Sequence, residues 1–369
     1  MDVLFVRASS IYDDSRATKE ILALLEKGHN VHVVGWDRNG DSKNRTEQVF
    51  SKYSEQIVFD FFSFQLEQGI GLRNIDKLLE WIRWTNKVVK KNRHYDVVHA
   101  CNLDGALGVW KYARKNGIKI IYDIYDYYID SHKIPKGLEN LVERLEINII
   151  NAADATIICT EERREQIAKA VPRKLEVIHN SPNVAAVDQK EILYDYTYCG
   201  SLYGQRLLQE IFDAYSENNH IRFGIAGSGE FADMARDLDN KFESFSYLGP
   251  LSYDEVLDIE SKSKVISAIY EPSIRNHRLC APNKFYEALA LAKPVIVCRN
   301  TGIDKIVEKN RIGIVIDYDP HQFYEALNYL LSNQDACFEM GLNARHLYEQ
   351  KYKWDIMKER LVKLYDEIR

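Results

Sequence analysis

The chain has 369 residues, of which 46% are hydrophobic and 28% are charged, so it is long enough for two globular domains of ordinary size. Its net charge of −6 argues against a general nucleic-acid binder, and no apolar run reaches the roughly 20 residues that a membrane-spanning helix needs. The six cysteines are scattered without a Cys-x-x-Cys pair, which is typical of buried thiols in a reducing cytoplasm. We therefore expect a cytoplasmic protein without a disulfide framework or a metal site.

Strand and helix patterns alternate through the first half of the chain. Strands are predicted at residues 3–6, 31–35, 57–64, 96–100, 119–123 and 156–159, and helices at 15–27, 72–92, 105–116 and 139–151. This alternation predicts an α/β domain with a doubly wound parallel sheet. A turn-rich stretch and a dozen residues without a strong period follow, so we place the first domain at 1–182 and a linker at 183–196.

A second series of strands and helices follows the linker. Strands are predicted at 197–200, 222–226, 245–248, 265–268, 295–298 and 313–316, and helices at 205–217, 230–241, 253–261, 282–292, 302–309 and 320–332. We therefore predict a second Rossmann-like domain at 197–350, with ligands bound at the carboxyl ends of the strands in a cleft between the two domains. A final helix at 351–369 is expected to cross back onto the first domain.

Two glycine-bearing loops of the second domain carry candidate ligand contacts. The first contains Gly200, Tyr203 and Arg206, and the second contains Gly227 and Gly229. Glycines let backbone amides approach a pyrophosphate closely, and an arginine adds charge-assisted hydrogen bonds. The alternative for the first loop is a tight turn with a surface arginine. The second loop lacks the full dinucleotide fingerprint, so it is weak evidence for NAD.

The most informative segment covers residues 281–297 and reads APNKFYEALALAKPVIV. Pro282 suits the start of a helix, and the β-branched run after Pro294 is typical of a buried parallel strand. Lys284 and Glu287 are three residues apart in the first turn and therefore share a face. An ammonium and a carboxylate at a helix start suit a ligand with phosphates and hydroxyls, such as a nucleotide sugar. The alternative is a solvated ion pair on an ordinary helix.

These segments resemble the second domain of GT-B glycosyltransferases, particularly those of family 4, and the resemblance covers nearly the whole chain. It implies that Glu287 binds the ribose of a nucleotide-diphosphate sugar and that Arg206 and Lys284 hold its diphosphate. The other donor-binding candidates are Asn283, Gly200, Tyr203, Gly227, Gly229 and Glu271.

The chain departs from the family pattern in two places. Leu279 stands eight residues before Glu287, where the family usually has a glutamate that helps to hold the transferred sugar. Glu271 either substitutes for that glutamate or is surface charge. In the first domain, Tyr125 stands where the family commonly has a histidine, so no histidine role is carried over. The sugar and the stereochemical outcome are therefore left open.

Carboxylates and amides follow the strands of the first domain. The segment ending in Asp123 and Asp126 resembles the family's strand that ends in Asp-x-His-Asp/Glu, and these two residues are our catalytic candidates. A carboxylate there would orient the acceptor hydroxyl or act as its general base, whereas the alternative is a helix cap. Asp13, Asn102 and Asp104 are candidate acceptor ligands, and each is equally typical of a cap or turn.

The resemblance implies a metal-independent glycosyltransferase with retention favoured, which uses a nucleotide-sugar donor and no cofactor. Its acceptor would be a saccharide or a lipid-linked saccharide in cell-surface polysaccharide or glycolipid assembly. The basic helix 72–93, with Trp81 and Trp84, suits an anionic membrane surface, and the alternative is an amphipathic helix packed on the sheet. A sugar-nucleotide epimerase of the same fold and a non-catalytic sugar-nucleotide-binding protein are the alternative functions.

Overall fold

A computed structural model of the chain describes residues 1–37, 40–63, 75–91, 94–184 and 191–369. These residues form two compact units. The first consists of Met1–His179 together with Met357–Arg369, and the second consists of Asn180–Ile356. None of the helices in the described residues combines the length and apolar character needed to cross a membrane.

The first unit is built on a seven-stranded parallel sheet with the strand order β3-β2-β1-β4-β5-β6-β7. The strands are β1 Asp2–Arg7, β2 Asn30–Asp37, β3 Ile57–Ser63, β4 Val97–Cys101, β5 Lys119–Ile124, β6 Ala155–Ile158 and β7 Leu175–Val177. The central strand β1 is buried from Val3 to Val6, because a doubly wound sheet is covered by helices on both faces. The predicted doubly wound α/β sheet is confirmed.

The helices of the first unit connect these strands. They are α1 Ser15–Glu26, α2 Ser42–Val49, α3 Ile75–Lys90, α4 Asn102–Leu107, α5 Trp110–Lys115, α6 Tyr128–Ser131 and α7 Glu139–Ala152. The helix predicted at 105–116 is two short helices in the structure. They separate at Gly108, whose carbonyl accepts a hydrogen bond from Asn86 Nδ2 at 2.8 Å. A Cβ at Gly108 would also meet the Ile82 carbonyl oxygen of α3, so the two segments pack very closely there.

The second unit has a six-stranded parallel sheet with the order β10-β9-β8-β11-β12-β13. Its strands are β8 Tyr194–Cys199, β9 Phe223–Ala226, β10 Phe245–Tyr247, β11 Ser263–Ala268, β12 Val295–Cys298 and β13 Gly313–Ile316. Its helices are α8 Leu208–Asp213, α9 Ala232–Lys241, α10 Tyr253–Ser261, α11 Asn283–Ala290, α12 Ile303–Asn310, α13 Pro320–Ser332 and α14 Gln334–Leu347. Both sheets therefore have the strand order of a Rossmann fold, as predicted.

The borders of the units differ from the predicted ones by a few residues. Asn180 already belongs to the second unit, where its Nδ2 donates to the Ala281 carbonyl at 2.8 Å. The Pro182 carbonyl accepts a hydrogen bond from Tyr348 Oη at 2.8 Å. Residues 185–190 of the predicted linker lie outside the described residues, and its last three residues belong to β8.

The last helix, α15 Trp354–Ile368, begins in the second unit and ends in the first. Its apolar side chains at helical spacing are buried in the first unit: Met357, Leu361, Leu364 and Tyr365. Tyr365 also forms a 2.8 Å hydrogen bond with His99 Nδ1 of β4. The C-terminal residues thus complete the core of the first unit.

Candidate functional site

The strand order of the second sheet identifies where a ligand would bind in that unit. The chain runs outward from β8 to β10 on one side and then restarts at β11 on the other side of β8. Ligands of open α/β sheets bind at the carboxyl ends of the strands at such a reversal. Gly200 follows β8, Gly227 follows β9, and Tyr270 and Glu271 follow β11. The predicted donor residues of these loops therefore lie at one edge of one sheet.

The glycines of these loops allow the loops to pack on each other. A Cβ at Gly227 would overlap the carbonyl oxygen of Gly200, and a Cβ at Gly229 would overlap a carbonyl oxygen of the same neighbouring loop. The Gly200 amide donates to Ala226 O at 2.9 Å, and the Gly227 amide donates to Gly249 O at 2.8 Å. Both amides thus donate to protein carbonyls, and nucleotide binding by the backbone around Gly200 and Gly227 stays a prediction.

Lys284 lies beneath the first glycine loop, in the first turn of α11. Its Nζ is 4.6 Å from the centre of the Tyr198 ring, and a Cβ at Gly200 would meet this ammonium group. Nζ forms no hydrogen bond or salt bridge within the described residues. Burial opposes its charge, but Tyr198, Tyr270 and the nearby carboxyl groups raise the pKa of Lys284 above its ordinary value. Lys284 is thus a cation that forms no salt bridge within the described residues, although the carboxyl groups of Glu287 and Glu260 act on it electrostatically.

Glu287 lies one turn further along α11 and is 3% exposed. The alternative of a solvated surface ion pair therefore does not describe it. A second carboxyl group, Glu260 of α10, is fully buried nearby, and burial together with Glu287 raises the pKa of Glu260 well above its ordinary value. Burial therefore favours the neutral form of Glu260. Sequence analysis did not identify Glu260, because a helical glutamate gives no signal of burial.

Arg206 is held by two aromatic residues that follow β11. Its guanidinium carbon lies 4.1 Å from the centre of the Tyr270 ring, and its Nη1 donates to His277 Nε2 at 3.2 Å. Tyr270 interacts electrostatically with both Arg206 and Lys284, so the two predicted diphosphate ligands lie around one side chain. Arg206 forms no salt bridge within the described residues. The arrangement offers two cations to an anionic ligand.

The remaining donor candidates differ in how they are engaged. The Glu271 carboxylate accepts a hydrogen bond from the Ser273 hydroxyl, and the Glu271 carbonyl faces His277 Nδ1 at 3.0 Å. Tyr203 and Asn283 are exposed. His277 was not identified from the sequence, because its partner Arg206 is 71 residues away and no spacing signal connects them.

In the first unit, Asp123 is fully buried and ion-paired. Its Oδ1 accepts from Arg16 Nη2 at 2.8 Å, and its Oδ2 lies 3.3 Å from His99 Nε2. Burial opposes its charge, but Arg16 and His99 lower the pKa of Asp123 overall. The carboxylate is thus enclosed by its partners, and its catalytic role stays a prediction.

Glu20 completes this buried cluster. Its Oε1 is 3.0 Å from Arg16 Nε, and Tyr125 Oη donates to its Oε2 at 3.2 Å. Burial and the charge of Asp123 raise the pKa of Glu20 well above its ordinary value. The cluster thus favours the charge of Asp123 beside Arg16 and opposes the charge of Glu20.

His99, Cys101 and Asp123 place three potential metal-ligand atoms within 4.8 Å of one another. The donor set does not suit a divalent cation, because Asp123 is already paired with the Arg16 guanidinium. Burial also raises the pKa of the Cys101 thiol well above its ordinary value, whereas a metal needs the thiolate.

Asp126 lies just beyond β5 and has a side chain that is 45% exposed. The buried Arg163 contacts its Oδ1 at 3.1 Å and also donates to the Tyr125 carbonyl. Asn102 Oδ1 accepts from the amides of Tyr125 and Asp126 at 2.8 and 3.2 Å. Asn102 therefore holds the turn that presents Asp126, as the turn alternative describes, and its role in acceptor binding stays a prediction. Sequence analysis missed Arg163, which has no spacing signal either.

The other two acceptor candidates follow neighbouring strands. Asp13 is exposed in the loop after β1. Asp104 is partly buried in α4, where its Oδ1 accepts from the Gly105 amide at 2.9 Å. The roles of both in acceptor binding stay predictions.

The basic helix α3 packs its two tryptophans against the core of the first unit. Trp81 is fully buried and donates from Nε1 to the Asp104 carbonyl at 2.9 Å, and Trp84 packs on Trp81 and Phe62 with ring centres 5.7 and 5.5 Å apart. The expectation that Trp81 contacts a membrane is wrong. The solvent face of α3 carries Arg83, Lys87 and Lys90, followed by Lys91, while residues 72–74 and 92–93 of the predicted helix lie outside the described residues.

Both halves of the chain match models of glycosyltransferase families. Residues 18–185 match the family model of Glycosyltransferase Family 4, and residues 195–333 match that of Glycosyl transferases group 1. The predicted resemblance to family-4 GT-B glycosyltransferases is confirmed. Spore coat protein SA from Bacillus subtilis (strain 168) is 28% identical over 179 residues, which are 44% of this chain and 45% of that protein. The chain thus spans less than half the length of this curated relative.

Solved structures share the fold over nearly the full chain. Anabaena HepE, solved in complex with UDP and glucose, matches with 15% identity, a TM-score of 0.68 and coverage of 99% of both chains. A UDP-N-acetylglucosamine 2-epimerase matches with 14% identity, a TM-score of 0.62 and coverage of 93% of this chain and 90% of its own. These structural matches establish the two-domain GT-B fold. Because the sequence identities are low, the reaction has to be argued from the residues of the site.

Proposed function

From the membership of this chain in the GT-B glycosyltransferases, we propose that it transfers a sugar from a nucleotide-diphosphate donor to a hydroxyl of a saccharide or lipid-linked acceptor. The observation that carries the proposal is the pair of cations around Tyr270. Within the described residues, neither Arg206 nor Lys284 forms a hydrogen bond or salt bridge with a carboxylate, although Glu287 and Glu260 act on Lys284 electrostatically. A diphosphate supplies the anion that such a pair lacks. HepE, which shares the fold, was solved with UDP and glucose.

The proposed chemistry assigns the cations to the leaving group. Negative charge develops on the nucleotide diphosphate as the bond to the sugar breaks, and fixed cations at that position stabilise the transition state more than the ground state. Glu287, buried on the same helix as Lys284, binds the ribose hydroxyls in this proposal.

On the acceptor side, we assign the polar contact to Asp126 alone. Its carboxylate is partly exposed and oriented by Arg163, whereas the Asp123 carboxylate is enclosed. In the retaining course that we favour, the leaving diphosphate takes the proton of the acceptor hydroxyl, and Asp126 orients that hydroxyl. The proposed setting is assembly of a cell-surface polysaccharide or glycolipid.

Thermal-shift screening with UDP-, GDP-, ADP- and dTDP-sugars tests the donor site. A ligand at ten times its Kd stabilises a folded protein by about 1.4 kcal/mol, which shifts the Tm by a few degrees. We expect one donor class to stabilise the wild type, and Lys284→Met and Glu287→Ala to lose that shift. The matched control is Lys305→Met, an exposed lysine of α12 outside the site. If no donor stabilises the wild type at millimolar concentration, the proposal is wrong.

An epimerase is the second candidate, because a solved UDP-N-acetylglucosamine 2-epimerase shares the fold. An epimerase converts the donor without an acceptor. Incubation of the stabilising nucleotide sugar alone, followed by chromatography of the sugar, separates the two reactions. An isomerised sugar supports the epimerase, and an unchanged or slowly hydrolysed donor supports the transferase. Hydrolysis that disappears in Glu287→Ala also argues against a non-catalytic binding protein.

We further propose that the basic face of α3 contacts an anionic membrane when the acceptor is lipid-linked. Few acidic residues accompany the four cations of this face, Arg83, Lys87, Lys90 and Lys91. Each cation near an anionic surface contributes about 1 kcal/mol to the free energy of binding. Sedimentation with phosphatidylglycerol vesicles should be lost when Lys87, Lys90 and Lys91 are replaced by glutamate. Unchanged sedimentation of this variant would contradict the proposal.

A further inference from the structure

His277 has both ring nitrogens engaged, although it was not expected to belong to the site. It lies in the short turn Arg275–Leu279 after β11 and is 7% exposed. Nδ1 lies 3.0 Å from the Glu271 carbonyl oxygen, which can only accept. Nε2 lies 3.2 Å from Arg206 Nη1, which can only donate. The two contacts together define a neutral imidazole that carries its proton on Nδ1 and accepts from Arg206.

The Arg206 guanidinium is fixed on two sides by this arrangement. One face lies on the Tyr270 ring at 4.1 Å, and the ring of His277 packs against Tyr270 with centres 5.2 Å apart and an interplanar angle of 77°. Nη1 donates to His277 and to the Gln205 carbonyl at 3.1 Å. The other guanidinium donors, Nε and Nη2, form no hydrogen bond within the described residues.

A neutral imidazole as the partner of an arginine indicates that the positive charge of the arginine is available to a ligand. A carboxylate in its place would hold the guanidinium equally well, but it would cancel the positive charge and compete with an anionic ligand. The imidazole accepts one hydrogen bond and leaves the charge intact. The orientation of Arg206 is therefore obtained without loss of its attraction for phosphate.

We propose that His277 is a positioning residue that holds Arg206 in place for a diphosphate ligand. This inference rests on the proposed function, because the ligand is the diphosphate of the nucleotide-sugar donor. His277 acts only through Arg206 and does not touch the sugar or the acceptor. Its loss should therefore weaken diphosphate binding only while Arg206 is present.

Calorimetric titration of the full chain with inorganic pyrophosphate and with UDP tests this dependence. His277→Phe retains an aromatic ring against Tyr270 and removes both hydrogen bonds. We expect it to weaken pyrophosphate binding about tenfold, and to have no further effect in an Arg206→Ala background. His277→Gln retains an acceptor for Arg206 and should stay within about threefold of the wild type. His321→Phe, at an exposed position of α13, is the matched control.

Each other outcome overturns the inference in a distinguishable way. If His277→Phe binds pyrophosphate as the wild type does, His277 does not position Arg206, and the proposed function is unaffected. If it weakens binding equally with and without Arg206, its role is structural. If the wild type binds neither UDP nor pyrophosphate, while a thermal shift with another donor persists, the cations do not hold a diphosphate. Should His277→Phe fail to fold, His277→Leu and His277→Gln provide the same comparison.

Discussion

Replacing Asp123 by asparagine separates a structural role of this carboxylate from a catalytic one. The substitution keeps the shape of the side chain and removes its charge, which leaves the buried Arg16 without its ionised partner. Breaking a buried ion pair in this way costs about 3–5 kcal/mol. Glu20, 3.0 Å from Arg16 Nε, can replace part of the lost charge. We therefore expect a loss of about 3 kcal/mol in the free energy of unfolding.

Replacing Glu20 as well tests whether its carboxyl group compensates for the loss of Asp123. In the double variant Asp123→Asn/Glu20→Gln, no carboxylate remains beside Arg16, so the loss should rise to about 5 kcal/mol, the upper end for a broken buried pair. Asp126→Asn is the matched control, because Asp126 is 45% exposed, so solvent screens its charge and the substitution should cost less than Asp123→Asn. Asp126→Asn should instead lower the rate of sugar transfer.

Urea unfolding followed by tryptophan fluorescence measures these losses of stability in the first structural unit. Four of the five tryptophans, Trp36, Trp81, Trp84 and Trp110, lie in the first unit, so their signal reports its unfolding. An Asp123→Asn variant that keeps wild-type stability but loses transfer activity would refute the reasoning. It would favour a catalytic role for Asp123.

Three further predictions concern stability. Burial raises the pKa of Glu146 to about 8, so the folded chain holds a proton that the unfolded chain releases above about pH 4.5. Stability should therefore fall by ~1.4 kcal/mol per pH unit between those values, and Glu146→Gln should flatten the profile of urea midpoints between pH 5 and 8. Ala292 has a φ of 56°, so Ala292→Gly should raise the free energy of unfolding by about 1 kcal/mol. The control Ala288→Gly, within α11, should lower it. Thermal unfolding measures both variants, and a destabilised Ala292→Gly would contradict the prediction. Gly227→Ala should lower the free energy of unfolding by about 3 kcal/mol, because its Cβ would overlap a carbonyl oxygen of the neighbouring loop. Gly249 also has a positive φ but lies in open space, so Gly249→Ala should lower the free energy of unfolding by about 1 kcal/mol. Equal losses of stability in calorimetry would show that the overlap at Gly227 is relieved.

Much of the donor site was predictable because its residues belong to local patterns. Lys284 and Glu287 share a face of one helical turn, and Arg206 follows a strand and a glycine loop, so their chemistry could be read within short segments. The structure brings both cations to Tyr270. Their binding of a nucleotide sugar stays a prediction until a ligand is tested.

The sequence by itself determined the two Rossmann-like sheets, because the alternation of strands and helices is set by interactions between residues close in the chain. Tertiary structure decided which polar residues are available to a ligand. Asp123 meets Arg16 across 107 residues, and His277 meets Arg206 across 71 residues. Such partners are chosen by the packing of strands and helices, and a carboxylate at a strand end looks the same in the sequence whether it is enclosed, like Asp123, or partly exposed, like Asp126.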